Sequence, residues 1–409
     1  MRGTEQLHIE VKSPLFIGDG NDLTPLSYVV DRETVHVVNT ERFFKGISDA
    51  ERQAYVEWLE PILDEMEQLR ARIQETSSFD QRHSLRRQYR QVASRLSLWE
   101  FTQQQFRRDP ISEVQKLNCV AYIINRGTFA GGNIRTFIKN ADGSPFIPGT
   151  EIKGAIRTSL LYDLLKGDSH LYRALKDKLV LLGRHLRSGE RPQEKVKPLK
   201  DASREIERAL RGEKDDAKFD FLKFIQVGDA TLTSDSLDVH TLESIGTGRF
   251  TRTAMEGVRK GTKTQTRLVI IQSAESALHA LGLEKLQGFL STERLFQAIY
   301  LRSKDILSDA AQYFGRYPRM QSHIHELERA NEPQSPLLRL GWGQGFLSTT
   351  IDLLVRQRDA KLYEHIREGT SLQRRQRTTP DNFPKTRRVV SDGRGNPLAL
   401  PGWVKMSRQ

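Results

Sequence analysis

Two basic residues stand one helical turn apart, directly after a turn sequence. Residues 148–165 combine Pro-Gly with Ile or Leu at every fourth position, which predicts a tight turn followed by a helix that packs through this stripe. We expect Thr150 to cap the helix. Lys153 and Arg157 share a neighbouring face of its first two turns, where backbone N–H groups lack intrahelical partners. This arrangement is typical of an anion site, but a surface helix with two solvated cations has the same pattern.

A second candidate site is a run of three glycines in five residues, formed by Gly341, Trp342, Gly343, Gln344 and Gly345. Without side chains the glycine backbone passes close to a ligand, and its N–H groups can donate to phosphate oxygens. Such a short motif also occurs by chance. Inside the helix after Pro-Gly, Gly154 costs about 1 kcal/mol relative to Ala, which is easier to explain if another backbone approaches there.

Further cations lie in glycine-containing or C-terminal segments. Arg135 and Lys139 flank a loop at 127–135, and Lys263 belongs to the basic strip 246–266, in which Arg and Lys alternate with Gly and Thr. Cations and hydroxyls of this kind can follow a phosphate backbone without reading its bases. Mobile surface loops are the competing interpretation for both segments. The C-terminal candidates are Lys385, Arg387, Arg388 and Lys405.

The composition favours a polyanionic partner. The 409 residues include 64 Lys or Arg against 52 Asp or Glu, and residues 361–409 alone contribute eleven basic and four acidic residues. Apolar residues alternate with these cations, which favours a folded basic surface over a solvated tail. The single cysteine, Cys119, has no disulfide partner, so a reducing compartment is expected. No apolar run reaches the ~20 residues that span a bilayer, and we expect a soluble, cytoplasmic protein.

The N-terminal pattern is that of strands. Residues 7–11 alternate between apolar and polar, and residues 28–31 and 35–38 predict a hairpin. Residues 119–124 are apolar without interruption, which predicts a buried strand. Further strands are expected at 219–232, 239–242 and 267–272, the last two as neighbours.

A helical hairpin is expected as an insertion at about 48–108. Ser48 and Glu51 have the spacing of a capping box, and two amphipathic stripes follow, separated by a short polar break. Pro61 should kink or restart the first helix. The arginine-rich outer face suits RNA or a neighbouring subunit, although such faces are more often only solvated. We predict an N-terminal domain at 1–182 that contains this hairpin, a charged linker or lobe at 183–216 and a C-terminal domain at 217–409.

Several of these segments resemble a known family. Residues 148–157 are similar to the Pro-Gly-x-x-Ile-Lys-Gly-x-Ile-Arg signature of the RAMP superfamily of CRISPR-associated RNA-binding proteins. Three further islands follow in an order and spacing that resemble the fifth-subunit family of the type III-A (Csm) effector complex, which caps one end of the complex's backbone. They are residues 13–20, 340–346, and 383–388 together with 402–405.

The resemblance implies an α+β fold of RAMP-type, ferredoxin-like (RRM-like) domains with a helical insertion. It implies a noncatalytic subunit that binds the 3′ region of the CRISPR guide RNA and contacts adjacent RAMP backbone subunits in antiviral defence. It also implies a part in guide RNA maturation through recruited host nucleases. Lys153 and Arg157 would then grip phosphates, and the remaining candidate cations would extend one groove along the glycine run.

No arrangement of residues predicts an active site, a metal or a cofactor. The ten histidines are scattered, and His323 and His325 lack nearby acidic or cysteine ligands. The rival interpretation is a metal-independent RAMP endoribonuclease that processes CRISPR RNA, for which the resemblance offers His8 and His36 as acid or base. A related backbone subunit cleaves with an aspartate in its first loop, but the surroundings of Asp22 differ from that loop, and the role is not transferred.

Overall fold

The computed structural model describes residues 2–187, 206–211, 219–246, 251–271, 275–369 and 384–409. Its strands are β1 Arg2–Val11, β2 Gly18–Leu23, β3 Tyr28–Val30, β4 Thr34–Val38, β5 Val120–Asn125, β6 Ile134–Phe137, β7 Phe146–Ile147, β8 Ile225–Val227, β9 Ala230–Thr231, β10 Leu237–Ile245, β11 Arg252–Val258, β12 Lys263–Ile271, β13 Leu337–Arg339, β14 Arg387–Ser391, β15 Pro397–Ala399 and β16 Trp403–Arg408. Its principal helices are α1 Thr40–Gly46, α2 Asp49–Glu75, α3 Phe79–Ala93, α4 Leu98–Phe101, α5 Pro110–Lys116, α6 Gly149–Gly167, α7 Ser169–Arg187, α8 Glu275–Ala280, α9 Thr292–Tyr313, α10 Pro318–Ala330, α11 Phe346–Thr349, α12 Asp352–Arg358 and α13 Ala360–Gly369.

One antiparallel sheet has the N-terminal strand at its centre. Its strand order is β13-β16-β1-β12-β8, so β1 pairs with β12 on one side and with β16 on the other. Leu7 stands opposite both Thr266 and Arg408, which are far along the chain. Leu7, Ile9 and Val11 are buried, as their alternation with polar residues predicts.

The second sheet is mixed and contains nine strands among the described residues. Its main path is β2-β6-β11-β10-β5-β4-β3, and β14 and β15 extend it from β10. β5 runs parallel to β10, and β6 runs parallel to β11. The hairpin predicted near residues 28–38 is present as β3 and β4.

Two strand predictions are wrong in detail, and the loop interpretation of the basic strip does not hold for its described part. β5 is not buried on both faces, because its side chains alternate and Ile123 is 53% exposed. The segments 239–242 and 267–272 are not neighbours, since they fall in β10 and β12 of different sheets. The basic strip 246–266 is not one loop, because its described part forms β11 and the start of β12.

The expected boundary at 183–216 does not separate two independent sheets. Most of that segment lies outside the described residues; the described part continues α7 to Arg187 and forms a helical turn at 206–211. Each sheet takes strands from both sides of the segment, as β1 with β12 and β5 with β10 illustrate. The largest apolar core accordingly extends from Leu7 to Met406.

The predicted helical hairpin is formed by α2 and α3. The capping box is present: Ser48 N–H donates to the Glu51 carboxylate at 2.8 Å, and Glu51 N–H donates to Ser48 Oγ at 3.3 Å. The helix runs through Pro61 without the restart that was one of the two predicted outcomes. Pro61 and Glu57 are both exposed, and water can therefore bond to the Glu57 carbonyl that loses its helical partner. The outer half of the hairpin has its own small core of Ile62, Leu69, Leu85 and Val92.

Helix α6, which follows the Pro-Gly turn, begins one residue before the predicted cap. Pro148 is the N-cap and makes no side-chain capping hydrogen bond, so Thr150 does not have the predicted role. Gly149 N–H instead donates to the Asp229 carboxylate at 2.7 Å, which ties the helix start to the segment after β8. As predicted, the helix buries Ile152, Ile156 and Leu160.

Candidate nucleic-acid interface

The glycine run forms a tight loop between β13 and α11 in which three glycines have positive φ: Gly341 (71°), Gly343 (93°) and Gly345 (83°). A β-carbon at Gly341 would collide with the backbone oxygen of Phe16, and the same oxygen accepts a hydrogen bond from Trp342 N–H at 2.7 Å. Gln344 Nε2 closes the loop by donating to the Gly341 oxygen at 2.9 Å. The loop is therefore held firmly against the segment that follows β1.

Trp342 contacts two arginines that come from distant segments. The Arg388 guanidinium carbon lies 3.8 Å from the centroid of the indole ring, and that of Arg135 lies 5.4 Å from it. The ring also packs on an apolar cluster of Phe16, Leu242, Met255 and Val390. Three of the predicted segments, the glycine loop, β6 and β14, thus meet at one place. We call Arg135, Trp342 and Arg388 the Trp342 cluster.

The Trp342 cluster carries more positive charge than its neighbours balance. Asp22 Oδ1 lies 4.0 Å from Arg135 Nε, and the two side chains are 48% and 47% exposed, so their attraction is weak. Within the described ranges, no carboxylate pairs with Arg388. Burial, and then the charge of Arg135, lowers the pKa of Arg388. An anionic ligand would relieve this repulsion.

A cleft of about 170 Å³ separates the start of α6 from the glycine loop. It is lined by Thr150, Glu151, Gly154, Ala155, Thr158, Arg302, Gln344, Ser348 and Thr349. A β-carbon at Gly154 would meet no atom within 4 Å, so this face has room for another backbone. The helix and the loop therefore do lie together, but through the face of Gly154 and not through that of Lys153 and Arg157.

Three predicted phosphate ligands are instead tied to carboxylates. Arg157 pairs with Asp220 and Glu207, Lys139 with the fully buried Glu256, and Arg387 with Asp309 at 2.9 Å. Contact of these three cations with RNA stays a prediction, and each of them already has a carboxylate partner within the protein. Sequence patterns did not reveal the pairs, because Asp220, Glu256 and Asp309 stand 63, 117 and 78 positions from their partners.

Two predicted cations lie on the other sheet. Lys263 and Lys405 stand on opposite sides of Glu10 in register, in β12 and β16. Lys405 Nζ contacts Glu332 at 3.0 Å, whereas Lys263 is exposed and forms no ion pair with any described residue. Neither belongs to the sheet that carries Arg135 and Arg388.

The last two predicted cations do not join the Trp342 cluster either. Lys385 lines a separate cleft of about 720 Å³, and its backbone oxygen accepts a hydrogen bond from the Tyr313 hydroxyl at 2.8 Å. Lys153 is half-buried, and burial lowers its pKa. Of the candidate cations, only Arg135 and Arg388 contact Trp342 in the described structure.

The histidines of the rival ribonuclease interpretation are not brought together. His8 lies in β1 and His36 in β4, on different sheets. His36 is buried, and its Nε2 is 2.9 Å from Thr34 Oγ1 and 3.3 Å from Asp31 Oδ2.

In the part of the chain that the structure describes, no three His, Cys, Asp or Glu side chains form a group that could hold a metal. No described helix is both long and apolar enough to cross a membrane.

Two buried arginines beside the glycine loop are not among the candidates predicted from the sequence. Arg302 on α9 and Arg339 at the end of β13 are buried, and both donate to Ser348. A signal was present for each: Arg302 falls on the buried stripe of its helix between Ile299 and Ile306, and Arg339 interrupts the apolar run before the glycines. A charge inside an apolar stripe is rare enough to mark a functional or paired group.

Comparison with known proteins assigns the family. The sequence profile of the RAMP superfamily matches residues 8–348. This chain belongs to the RAMP superfamily, and the α+β, RAMP-type fold class predicted from the sequence is confirmed.

One curated relative and two solved structures are more specific matches than the family profile. The chain is 24% identical over 266 residues to the CRISPR system Cms protein Csm5 of Methanocaldococcus jannaschii, which covers 63% of this chain and 51% of that protein. It thus spans about half the length of this curated relative. A chain in the cryo-EM structure of a Csm-crRNA-target RNA ternary complex of a type III-A CRISPR-Cas system has the same fold, with a TM-score of 0.69, 23% identity and coverage of 99% of this chain and 100% of that one. The crystal structure of T. onnurineus Csm5 is also similar, with a TM-score of 0.62, 23% identity and coverage of 97% and 99%.

Proposed function

We propose that this protein is a noncatalytic, RNA-binding subunit of a cytoplasmic type III-A CRISPR surveillance complex. In this proposal it caps the backbone filament at the 3′ end of the guide RNA, contacts the adjacent RAMP subunit and assists maturation of the guide. Membership of the RAMP superfamily and the likeness to proteins named Csm5 support the assignment. The separation of His8 and His36 on two sheets favours it over the ribonuclease.

The observation that carries the proposal is the Trp342 cluster beside the glycine loop. An indole ring offers a stacking surface that accepts any base, and guanidinium groups contact phosphates without reading sequence. The positive-φ glycines let a ribose-phosphate backbone approach closely. The three residues of the Trp342 cluster are at least partly exposed, and the charge of its two arginines is not balanced. The other candidates differ, because carboxylates of the protein already pair with Lys139, Arg157 and Arg387.

The test is charge reversal of both arginines of the cluster. In Arg135→Glu/Arg388→Glu, we expect binding of unrelated single-stranded RNAs to weaken similarly, because the contacts are to phosphates. The slope of log K against log salt should fall by about 1.4, since each lost single-strand phosphate contact removes about 0.7. Fluorescence anisotropy over a salt series measures both quantities.

Trp342→Ala should weaken RNA binding about tenfold through lost stacking, and Trp342→Phe should retain most of the wild-type affinity.

Arg42→Glu is the matched control. Arg42 is exposed on α1, which packs through Phe43 on Val29 and Val38 at the far end of the nine-stranded sheet. It should leave the salt slope unchanged. An unaltered slope in the double variant, or an equal loss in Arg42→Glu, would refute the proposed interface.

The position in the complex has its own test. Photo-crosslinking of the complex purified from its host should join the glycine loop to the 3′ region of the guide RNA. Crosslinks confined to the 5′ region would contradict the capping role. Cleavage of RNA by the purified subunit, lost in His8→Ala or His36→Ala, would instead establish the ribonuclease.

A further inference from the structure

Two buried arginines beneath the glycine loop lack a carboxylate partner. Arg302 is 3% exposed and Arg339 is 6% exposed. Arg302 donates to the backbone oxygen of Ser348, and Arg339 donates to its Oγ at 2.8 Å. Within the described ranges neither arginine forms an ion pair. Asp309 is the acid whose charge acts on Arg339, and it is already paired with two other arginines.

The hydrogen bonds of Arg302 are incomplete. Its Nε has no partner among the described residues, and its Nη1 reaches Ser159 Oγ only at 3.5 Å. Burial lowers the pKa of Arg302 to about 10 and that of Arg339 to about 9, so both remain charged at neutral pH. Buried charges in proteins are normally paired and fully hydrogen-bonded. Arg302 therefore lacks the partner that such a charge normally has among the described residues.

Of the two arginines, Arg302 is the one that lines the cleft between α6 and the glycine loop. The cleft volume of about 170 Å³ is well below the roughly 300–1,000 Å³ of sites for whole small molecules, so it suits a single group. Thr150 also lines it, and neither its N–H nor its hydroxyl has a hydrogen-bond partner among the described residues. Glu151 is the one carboxylate in the lining.

We infer that this cleft binds one phosphate group of the RNA strand, with Arg302 as the charged ligand and Thr150 as a neutral donor. The inference rests on the proposed RNA-binding function and adds a ligand from α9 that lies outside the Trp342 cluster. Gly154 leaves the entrance open, since no side chain stands there. A phosphate oxygen replaces the long contact between Arg302 and Ser159.

The decisive variant is Arg302→Met, which keeps the length of the side chain and removes its charge. We expect single-stranded RNA to bind about tenfold more weakly, because a charge-assisted hydrogen bond is lost. The salt slope should fall by about 0.7, the value for one phosphate. Arg339→Met is the matched control, since Arg339 is equally buried and contacts the same serine but lines a different cavity. It should keep the wild-type slope.

A second variant changes the affinity in the opposite direction. Glu151→Gln removes the carboxylate of the cleft and should strengthen RNA binding, because its repulsion of phosphate disappears. Inorganic phosphate, compared with chloride of equal ionic strength, should raise the Tm of the wild type by more than it raises the Tm of Arg302→Met, because only the general effect of phosphate and the Trp342 cluster remain in the variant. This arm separates free phosphate from the phosphates of RNA.

The inference is overturned if Arg302→Met binds RNA with the wild-type slope, or if Arg339→Met loses as much. A phosphate-dependent rise in Tm that is equal in the wild type and in Arg302→Met also overturns it. These failures differ from failure of the proposed function, in which the wild-type protein itself binds no RNA.

Discussion

At the scale of single residues, Lys139 and Glu256 form an ion pair, and the Glu256 side chain is completely buried. Glu256 also accepts hydrogen bonds from the Tyr122 hydroxyl at 2.6 Å and from Phe137 N–H at 2.9 Å. Removal of one partner of such a pair leaves an uncompensated buried charge, which costs more than the pair itself contributes.

We therefore expect Lys139→Met to lower the free energy of unfolding by about 3 to 5 kcal/mol, the range for broken buried pairs. The double variant Lys139→Met/Glu256→Gln should recover part of this loss, because the buried charge is gone. Urea denaturation measures both values. RNA affinity of the folded variants should equal that of the wild type; a fall in the salt slope would show instead that Lys139 contacts phosphate.

Positive charge near glycine is the signal that selects two arginines of the Trp342 cluster. Arg135 and Arg388 were identified from positive charge beside glycine-containing or C-terminal segments, and the structure brings both to Trp342. The same reasoning selected Arg157 and Arg387, which are paired. An arginine that is available to bind a ligand and an arginine that is ion-paired to a distant segment have the same neighbours in the sequence. Only the position of a distant carboxylate separates them.

At the scale of elements, Arg157 ties α6 to two other segments. It contacts Glu207 in the turn at 206–211 and Asp220 just before β8. Burial alone would raise the pKa of Asp220, but hydrogen bonds from Arg157 and Leu222 N–H, among others, lower it overall. A carboxyl group with a lowered folded-state pKa stabilises the protein above its unfolded pKa, and this contribution is lost as the pH falls through the folded value.

Replacement of Arg157 by leucine should change the acid stability of the protein. Burial of Asp220 then acts against fewer hydrogen bonds, so its pKa rises and protonation begins at a higher pH. We expect the acid unfolding transition of Arg157→Leu to move to higher pH than in the wild type, with little change in RNA affinity. Circular dichroism during acid titration measures the transition. A transition at the wild-type pH would contradict the role of Arg157 as a tie.

Elements were predictable where the signal is local. The capping box of α2, the hairpin β3–β4 and the buried stripe of α6 were each predicted from residues within a few positions of one another. Thr150 failed as a cap because the carboxylate of Asp229, far along the chain, binds the helix start instead. Pro61 failed as a breaker because it lies on an exposed face, where the loss of one helical hydrogen bond is tolerated.

At the scale of the whole molecule, the predicted boundary at 183–216 followed a shift in charge and proline content. Strand pairing crosses that segment in both sheets. The periodicity of a strand shows which face is buried but not which strand lies beside it. The pairing of strands that are far apart in the chain is therefore the part of this fold that the sequence pattern could not predict.

The stability of the five-stranded sheet should depend on β16. Trp403 and Val404 are fully buried, and their removal would expose one edge of β1. We expect a chain that ends at Pro401 to lose cooperative thermal unfolding, whereas removal of Gln409 alone should have little effect. Differential scanning calorimetry distinguishes the two truncations. A cooperative transition in the shorter chain would show that the sheet does not need this strand.

The central position of β1 has a consequence for biosynthesis. This strand leaves the ribosome long before β12, and β16 follows later still. Until then β1 has two unsatisfied edges, a state that is prone to aggregation. Folding of the five-stranded sheet should consequently be slow, since long loops must close before β1 pairs with β12 and β16. Chaperones that cover unpaired strand edges should therefore raise the yield of the folded protein.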